Sequence, residues 1–554
     1  MYIWHLIKKY LIMKQILLLF TILVSASVLS FAQKSAPATY DLRDVEGVNY
    51  VTSVKSQQGG TCWTFGSMAS MEGNLMKTGN WESNGEDGEP DLAEYHLDWW
   101  NGYNMYFNQD LEEPYNNGEG LEVHMGGDYR VTTAYMSRLE GAVRNIDGQS
   151  YNSAPEHYSD DYHIYYPKRV EWYNAGDDLS NIDLIKEKVM ENGVMAICMC
   201  YDNSFLNGYN HYQPASSTLD PNHSVSVIGW DDSHNTQAPN LGAWLVKNSW
   251  GSSWGNGGYF WIAYEDKHAC KNPEMGAISF IDVDMMHYDT AYYHDYHGWR
   301  DTLTSASEAF NAFTANVNED IVAVSFFVAE NNVDYTLKIY GEFTDGALLD
   351  ERISHSGNIE FSGLHTIDLP EFTSFFAQEK FYVYLELSIG GHPYDRTSDV
   401  PVLLGGDSRA LVQSTASENQ SFYLEDDIWL DFYDYEDPSG YLNTGNFCIK
   451  AIANHNPTLG VDDMEIRNVG GLSAVSPSPV RTQTSIDYHL EKSAQASIKI
   501  YAINGQLVKE FQSKYQQAGN YKMEWNASDL QAGVYFVSLE VDGRKIDQIK
   551  VVKL

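Results

Sequence analysis

The chain has 554 residues, 43% of them apolar and 14% aromatic, which is enough to build several packed cores and too apolar for global disorder. It carries 35 Lys/Arg against 76 Asp/Glu, a formal net charge of −41 that repels phosphate backbones and anionic bilayers. That field argues against a nucleic-acid partner and against docking on an anionic membrane surface. The five cysteines, Cys62, Cys198, Cys200, Cys270 and Cys448, are too few for a disulfide scaffold, and their odd number leaves at least one thiol unpaired.

From Met13 the chain reads MKQILLLFTILVSASVLSFAQ: one Lys, an apolar stretch, then a small-residue cleavage pattern ending at Ala32. Residues 1–32 are therefore read as a signal peptide, with Met13 as the alternative start. No later segment approaches about 18 continuous apolar residues, so the mature protein is expected to have no transmembrane span.

The next element is a helix that opens at Cys62, carries Phe65, Met68, Ala69, Leu75 and Met76 at helical spacing, and stops at Gly79. Short apolar runs at Ser224–Ile228, Ala243–Val246 and Tyr259–Ile262 read as strands. Residues 33–284 are thus expected to form an α+β domain. From 285 to 455 the runs Ile321–Val328, Tyr335–Tyr340 and Phe381–Leu387 are separated by Gly/Asn/Asp turns, the pattern of a β-sandwich. HNPTLGVDD lies in a linker over 456–471 and just before it. The tail, 472–554, is β-patterned again, with turns at Asn504-Gly505, Ala518-Gly519 and Asp542-Gly543. Residues 462–554 hold 11 Lys/Arg and 11 Asp/Glu, so the whole negative charge sits upstream and the tail is expected to serve a separate purpose.

Cys62 lies in QQGGTCWTFG at the predicted start of a helix, where free N–H groups and the positive end of the dipole stabilise a thiolate. Gly59 and Gly60 permit close backbone approach. His223, in PNHSVSVIGWDD, begins a strand, and a strand end presents an imidazole at a fixed place, as a general base requires. Asn248, in WLVKNSWGSSWGNGGYF, follows another strand, and its amide oxygen is able to accept the imidazole N–H and set the tautomer. Singly, each of these residues reads as structural. Together they read as a nucleophile, a base and an orienting group.

These residues resemble the papain-like cysteine peptidases. Six motifs carry the likeness over roughly residues 38–270: YDLRD, VKSQ through CWTFG, LAEYHL, HMGGDYRVTTAYM, NHSVSVIGW and KNSWGSSWGNGGYF. The resemblance implies Cys62 as nucleophile, with His223 as its partner in a thiolate–imidazolium pair. It implies Asn248 as the group orienting His223, and Trp250 as a cover over their hydrogen bond. Gln57 is implied as the side-chain oxyanion donor, with Gln58 the competing candidate. Gly126 and Gly127 are implied as a backbone edge for an extended peptide, and Ser224 as a second-subsite residue. Peptide-bond hydrolysis through a thioester follows, with no metal or organic cofactor needed. Endopeptidase action is favoured, because no sequence element obviously blocks an end of the cleft.

Departures from the family pattern are also legible. Gly59 and Met125 stand where an active-site disulfide pairs in relatives, so that disulfide is expected to be absent. His223 follows Cys62 by 161 residues (223 minus 62), against roughly 130–150 in the family. The extra length is assigned to 81–123 and 144–180, as walls over the cleft. Only about five residues separate Ala32 from Pro37, so any restraint on activity is expected to lie outside a long pro-segment. This places the chain near the disulfide-poor bacterial branch, several members of which carry a lectin-like β-sandwich. Trp299 and Trp429 in that sandwich offer rings to a glycan, with core packing or an intramolecular lid on the peptidase as the favoured reading.

The tail resembles the C-terminal sorting domain of type IX secretion cargo. The likeness rests on SPSPVRTQTSIDYHL, ASIKIYAINGQLV, AGNYKMEWN, LQAGVYFVSLEVDG and the terminal KVVKL. It implies passage through the periplasm to the medium or the outer-membrane surface of a Gram-negative bacterium, with the type IX machinery as partner. Cys198 and Cys200 read as core strand residues and not as a metal pair, because alternate strand positions face opposite ways. His294 and His297 lack further ligands at recognisable spacing, and the acidic run 426–437 lacks a calcium-loop pattern. The alternative to a peptidase is a surface adhesin or glycan-binding protein that keeps the fold as a scaffold.

Overall fold

The computed structural model describes residues 36–111, 119–401, 404, 409–457, 470–490, 492–502, 506–541 and 544–554. The expected signal peptide, most of the expected linker and the turns at Asn504-Gly505 and Asp542-Gly543 lie outside these residues.

The helix Cys62–Thr78 begins and ends where the sequence places it. Gly79 terminates it in the left-handed conformation (φ 77°), its N–H returning to the Leu75 carbonyl at 3.0 Å. Residues Cys62 through Leu75 are buried on every side, so the helix is a central pillar and not a surface element. Small residues allow this close packing. A Cβ at Gly66 would stand 2.1 Å from Ser224 Oγ, and one at Gly73 would stand 2.5 Å from the Val194 side chain.

The three expected apolar runs form the strands His223–Asp231, Ala243–Lys247 and Tyr259–Ala263, which pair antiparallel in that order. Beyond them Met195–Met199 and Ala277–Met285 extend the sheet. Cys198 and Cys200 are buried, Cys198 within the wholly buried strand Met195–Met199, and all five cysteines are free.

The sheet does not stop at the end of the α+β region. Strand Tyr165–Tyr173 pairs with Ala277–Met285 on one side and with Gly363–Phe375 on the other, so one 13-stranded sheet runs through both halves. This junction strand lies within 144–180, one of the two stretches to which the extra length is assigned. A six-stranded sheet built on Val333–Thr344, Lys380–Leu387 and Glu308–Thr314 packs over the strands Glu319–Val328 and Ile449–His455 around a core that includes Val324, Phe326, Leu337 and Val383. That is the expected sandwich. Trp299 lies under the Arg130 guanidinium, 4.4 Å from its ring centre, and Trp429 packs edge-on to Phe310. The tail forms a second sandwich of a three-stranded and a four-stranded sheet around Val480, Ile486, Ile498, Trp525 and Val537.

Candidate active site

Two crossings bring the motifs together. Ser56 bridges Trp250, and Gln57 N–H donates to the Ser249 carbonyl at 2.8 Å, which lays VKSQ alongside NSWG. Gly60 N–H donates to the His124 carbonyl at 2.6 Å, which brings the Gly-Gly element against the loop before Cys62. Gly59 sits at φ 67°, and a Cβ there would meet that same carbonyl at 2.9 Å.

His223 is 4% exposed, and its Nε2 lies 2.8 Å from Asn248 Oδ1. The same Oδ1 accepts the Ser249 N–H at 2.8 Å, which identifies it as the oxygen. An amide oxygen only accepts, so the neutral imidazole carries its proton on Nε2 and keeps a lone pair on Nδ1. Trp250 stacks on the imidazole, with centroids 4.4 Å apart and planes 22° apart, and covers the ring.

Cys62 is the first residue of its helix and is 1% exposed. Burial pushes its thiol up to about 12, against the opposing effect of the backbone N–H groups of Ser224, Trp63 and Cys62 itself. Burial likewise brings His223 down to about 4, with Asn248 opposing. Charging either group alone in this dry site is unfavourable. A proton passing from sulfur to imidazole keeps the net charge unchanged, so near neutral pH joint ionisation avoids the net charge that ionising either group alone would bury.

Gln57 is anchored at both ends of its amide: Oε1 accepts from Ser249 Oγ at 2.6 Å, and Nε2 donates to the Gly59 carbonyl at 3.0 Å. The second Nε2 hydrogen is left for another acceptor. Gln58 is exposed, and it is its backbone N–H that donates to Tyr95 Oη at 2.9 Å.

Ser224 corrects the expectation for the second subsite. It is 1% exposed, its Oγ lies 2.5 Å from Tyr129 Oη, and it faces Gly66 of the helix. Strand alternation turns it to the face opposite its neighbour His223, into the core. Gly126 adopts φ 111°. Gly127 packs on the Trp63 ring so closely that a Cβ would stand 2.6 Å from it. Its backbone is engaged: the N–H donates to the Leu404 carbonyl at 3.2 Å, and its own carbonyl accepts the Leu404 N–H at 3.3 Å.

Ser249, Tyr95, His124 and Leu404 have roles here that the sequence reading did not assign. Ser249 lies inside the KNSW motif and was within reach of it; Leu404 lies 277 residues from Gly127 (404 minus 127), with no local signal. Among the described residues no group of His, Cys, Asp and Glu side chains is arranged to hold a metal ion, and no helix is long and apolar enough to cross a membrane.

A cysteine at a helix start and a strand-borne histidine, bonded to an asparagine and stacked on a tryptophan, are the features of a papain-like arrangement. The comparisons agree. Residues 123–279 match the papain family cysteine protease, 291–453 the lectin like domain, and 474–553 the secretion system C-terminal sorting domain. The chain carries a papain-like cysteine peptidase domain, a lectin-like domain and a sorting domain. It is 28% identical to mouse (Mus musculus) cathepsin S over 248 residues, which is 44% of this chain and 63% of that protein. To human (Homo sapiens) cathepsin L2 it is 28% identical over 232 residues, 40% of this chain and 60% of that one. The chain thus spans about three fifths of the length of these curated relatives. The cysteine protease and lectin-like domains of Cwp84, a surface layer associated protein of Clostridium difficile, match with a TM-score of 0.58 at 20% identity, over 76% of this chain and 90% of that one. Clostridial Cwp84 after propeptide cleavage matches with a TM-score of 0.59, also at 20% identity, over 76% and 99% of the two chains. At that identity the likeness concerns the fold.

Proposed function

We propose that this protein is an exported cysteine peptidase that hydrolyses peptide bonds through a thioester on Cys62. The observation that carries the reading is the His223 Nε2–Asn248 Oδ1 bond, with Trp250 stacked on the imidazole, while the backbone N–H of Ser224, the next residue, reaches the thiol of the buried Cys62 at its helix start. In the first half-reaction Sγ attacks the scissile carbonyl carbon and its proton passes to His223 Nδ1. His223 then delivers that proton to the leaving amine nitrogen as the C–N bond breaks. In the second, water gives a proton to His223 and attacks the thioester, and the proton returns to sulfur as the acid leaves. Gln57 and the Cys62 N–H hold the oxyanion; one such donor contributes about 3 kcal/mol to the transition state.

The domain division that goes with this reading is 33–284 for the peptidase, 285–455 for the sandwich and 472–554 for the sorting tail. The tail addresses the protein to type IX export, to the medium or the cell surface. Deletion of 472–554 is expected to leave the product cell-associated, read by immunoblot of cells and medium. Normal release of the truncated form would count against this route.

The test of the catalytic reading is the intact mass of the purified protein after treatment with an epoxysuccinyl peptide, beside Cys62→Ala. One adduct on the wild type and none on the variant is expected. No adduct on either folded protein would favour the adhesin or glycan-binding reading instead.

A further inference from the structure

The Gly127 backbone is the edge on which an extended peptide would pair, and in this structure a residue of the lectin-like domain is paired there. Leu404 makes both hydrogen bonds of an antiparallel bridge with Gly127, at 3.2 and 3.3 Å. Its side chain is 0% exposed and packs in the same apolar cluster as Cys62 and Trp63, joined by Val400 and Val412. The edge lies beside the nucleophile: Gly127 rests on the ring of Trp63, the residue after Cys62.

Strands Ser398–Pro401 and Arg409–Val412, on either side of Leu404 in the chain, pair antiparallel. Next to them, the Gln413 carbonyl accepts from Asn108 Nδ2 at 2.8 Å, and Thr415 bonds through its N–H and its hydroxyl to Asp110. Asn108 and Asp110 lie in 81–123, one of the stretches to which the extra length is assigned, so that stretch bonds to residues that follow Val412.

A glycine backbone offers one N–H and one C=O on this edge, and Leu404 engages both. A peptide seeking the same β-pairing must first displace it. We propose that Leu404 is an internal occupant of the substrate-pairing edge, so that peptides compete with the chain's own lectin-like domain for the cleft. This rests on the peptidase reading above. It also removes the ground for favouring endopeptidase action, because Leu404 already occupies the pairing edge.

The consequence is a raised KM, since binding energy is spent on displacement before chemistry begins. The test uses the full chain, with wild type, Leu404→Pro and Leu404→Ala compared on fluorogenic N-acetylated tetrapeptide amides. Proline removes the N–H donated to Gly127 and is expected to lower KM about tenfold, with the change in KM and not in kcat. Alanine keeps both backbone bonds but loses the buried side chain, and is expected to lower KM by a smaller factor; it also guards against the proline variant failing to fold. The rate of labelling by an epoxysuccinyl peptide should rise in step with 1/KM. Labelling by chloroacetamide, too small to reach the edge, should stay within about twofold, since it makes none of the paired hydrogen bonds. Folded variants with the wild-type KM and unchanged labelling by the epoxysuccinyl peptide would overturn the proposal alone. No hydrolysis and no Cys62 labelling by either reagent in any variant would overturn the peptidase reading, and this inference with it.

Discussion

His223→Ala is expected to lower kcat/KM for peptide hydrolysis by about 10⁴-fold, because every proton transfer in the proposed mechanism passes through that imidazole. The structure explains why no neighbour substitutes for it. The ring is buried, capped by Trp250 at 4.4 Å and held at Nε2 by Asn248, leaving Nδ1 as its free basic atom. With Cys62 pushed up to about 12 by burial, the thiol does not ionise on its own near neutral pH. The variant should therefore also resist alkylation by chloroacetamide. The same electrostatics predict the acid limb of the wild-type profile. Burial holds the imidazole down to about 4, so it is a competent base above that value and loses competence when it takes a second proton as pH falls through it. Log kcat/KM plotted against pH should bend near 4; a bend above pH 6 would contradict this account.

Arg138→Met is expected to destabilise the protein by about 3–5 kcal/mol, the usual consequence of leaving one member of a buried ion pair without its partner. Arg138 follows the helix Tyr129–Ser137, and its guanidinium makes a two-pronged contact with Glu140 at 2.9 and 3.0 Å. It donates as well to the Tyr296 and Asn101 carbonyls, at 2.5 and 3.0 Å, and lies 4.1 Å from the centre of the Tyr296 ring. One side chain thus joins the peptidase helix, the insertion and the first turn of the lectin-like domain. Burial by itself raises the Glu140 carboxyl, but Arg138 and then His157 outweigh it and hold it at about 2. A carboxylate lowered in the folded state contributes stability above its unfolded value of about 4.3, and that contribution is lost as pH falls towards 2. The gap between wild type and variant in urea unfolding should accordingly be widest above pH 5 and narrow below it. A gap that is constant from pH 7 to 3 would mean that packing, and not charge, accounts for the loss.

Much of the chemistry was legible in the chain because it depends on short-range patterns. A helix start at Cys62 and a stop at Gly79 follow from local spacing and from the conformational freedom of glycine. Strand residues around His223 and Asn248 follow from apolar runs bounded by turns. The motif KNSW brought Asn248 and Trp250 together before any fold was known. Ser224 was misplaced for a comparable reason: sequence adjacency to His223 suggests a shared site, whereas strand alternation sends the two side chains to opposite faces.

The sequence by itself determined the three-part domain order and the class of the peptidase domain, and it supplied the candidates for the reactive residues, since each depends on periodicity or on residues close in the chain. Only the tertiary structure decided the rest. That one sheet crosses from peptidase to sandwich follows from the pairing of Tyr165–Tyr173 with Gly363–Phe375. That Cys62 and His223 are both driven towards neutrality follows from burial, which is a property of the packed chain. That Leu404 meets Gly127 follows from a contact across hundreds of residues. Such pairings depend on how whole layers close on one another, and no local pattern of side chains encodes them.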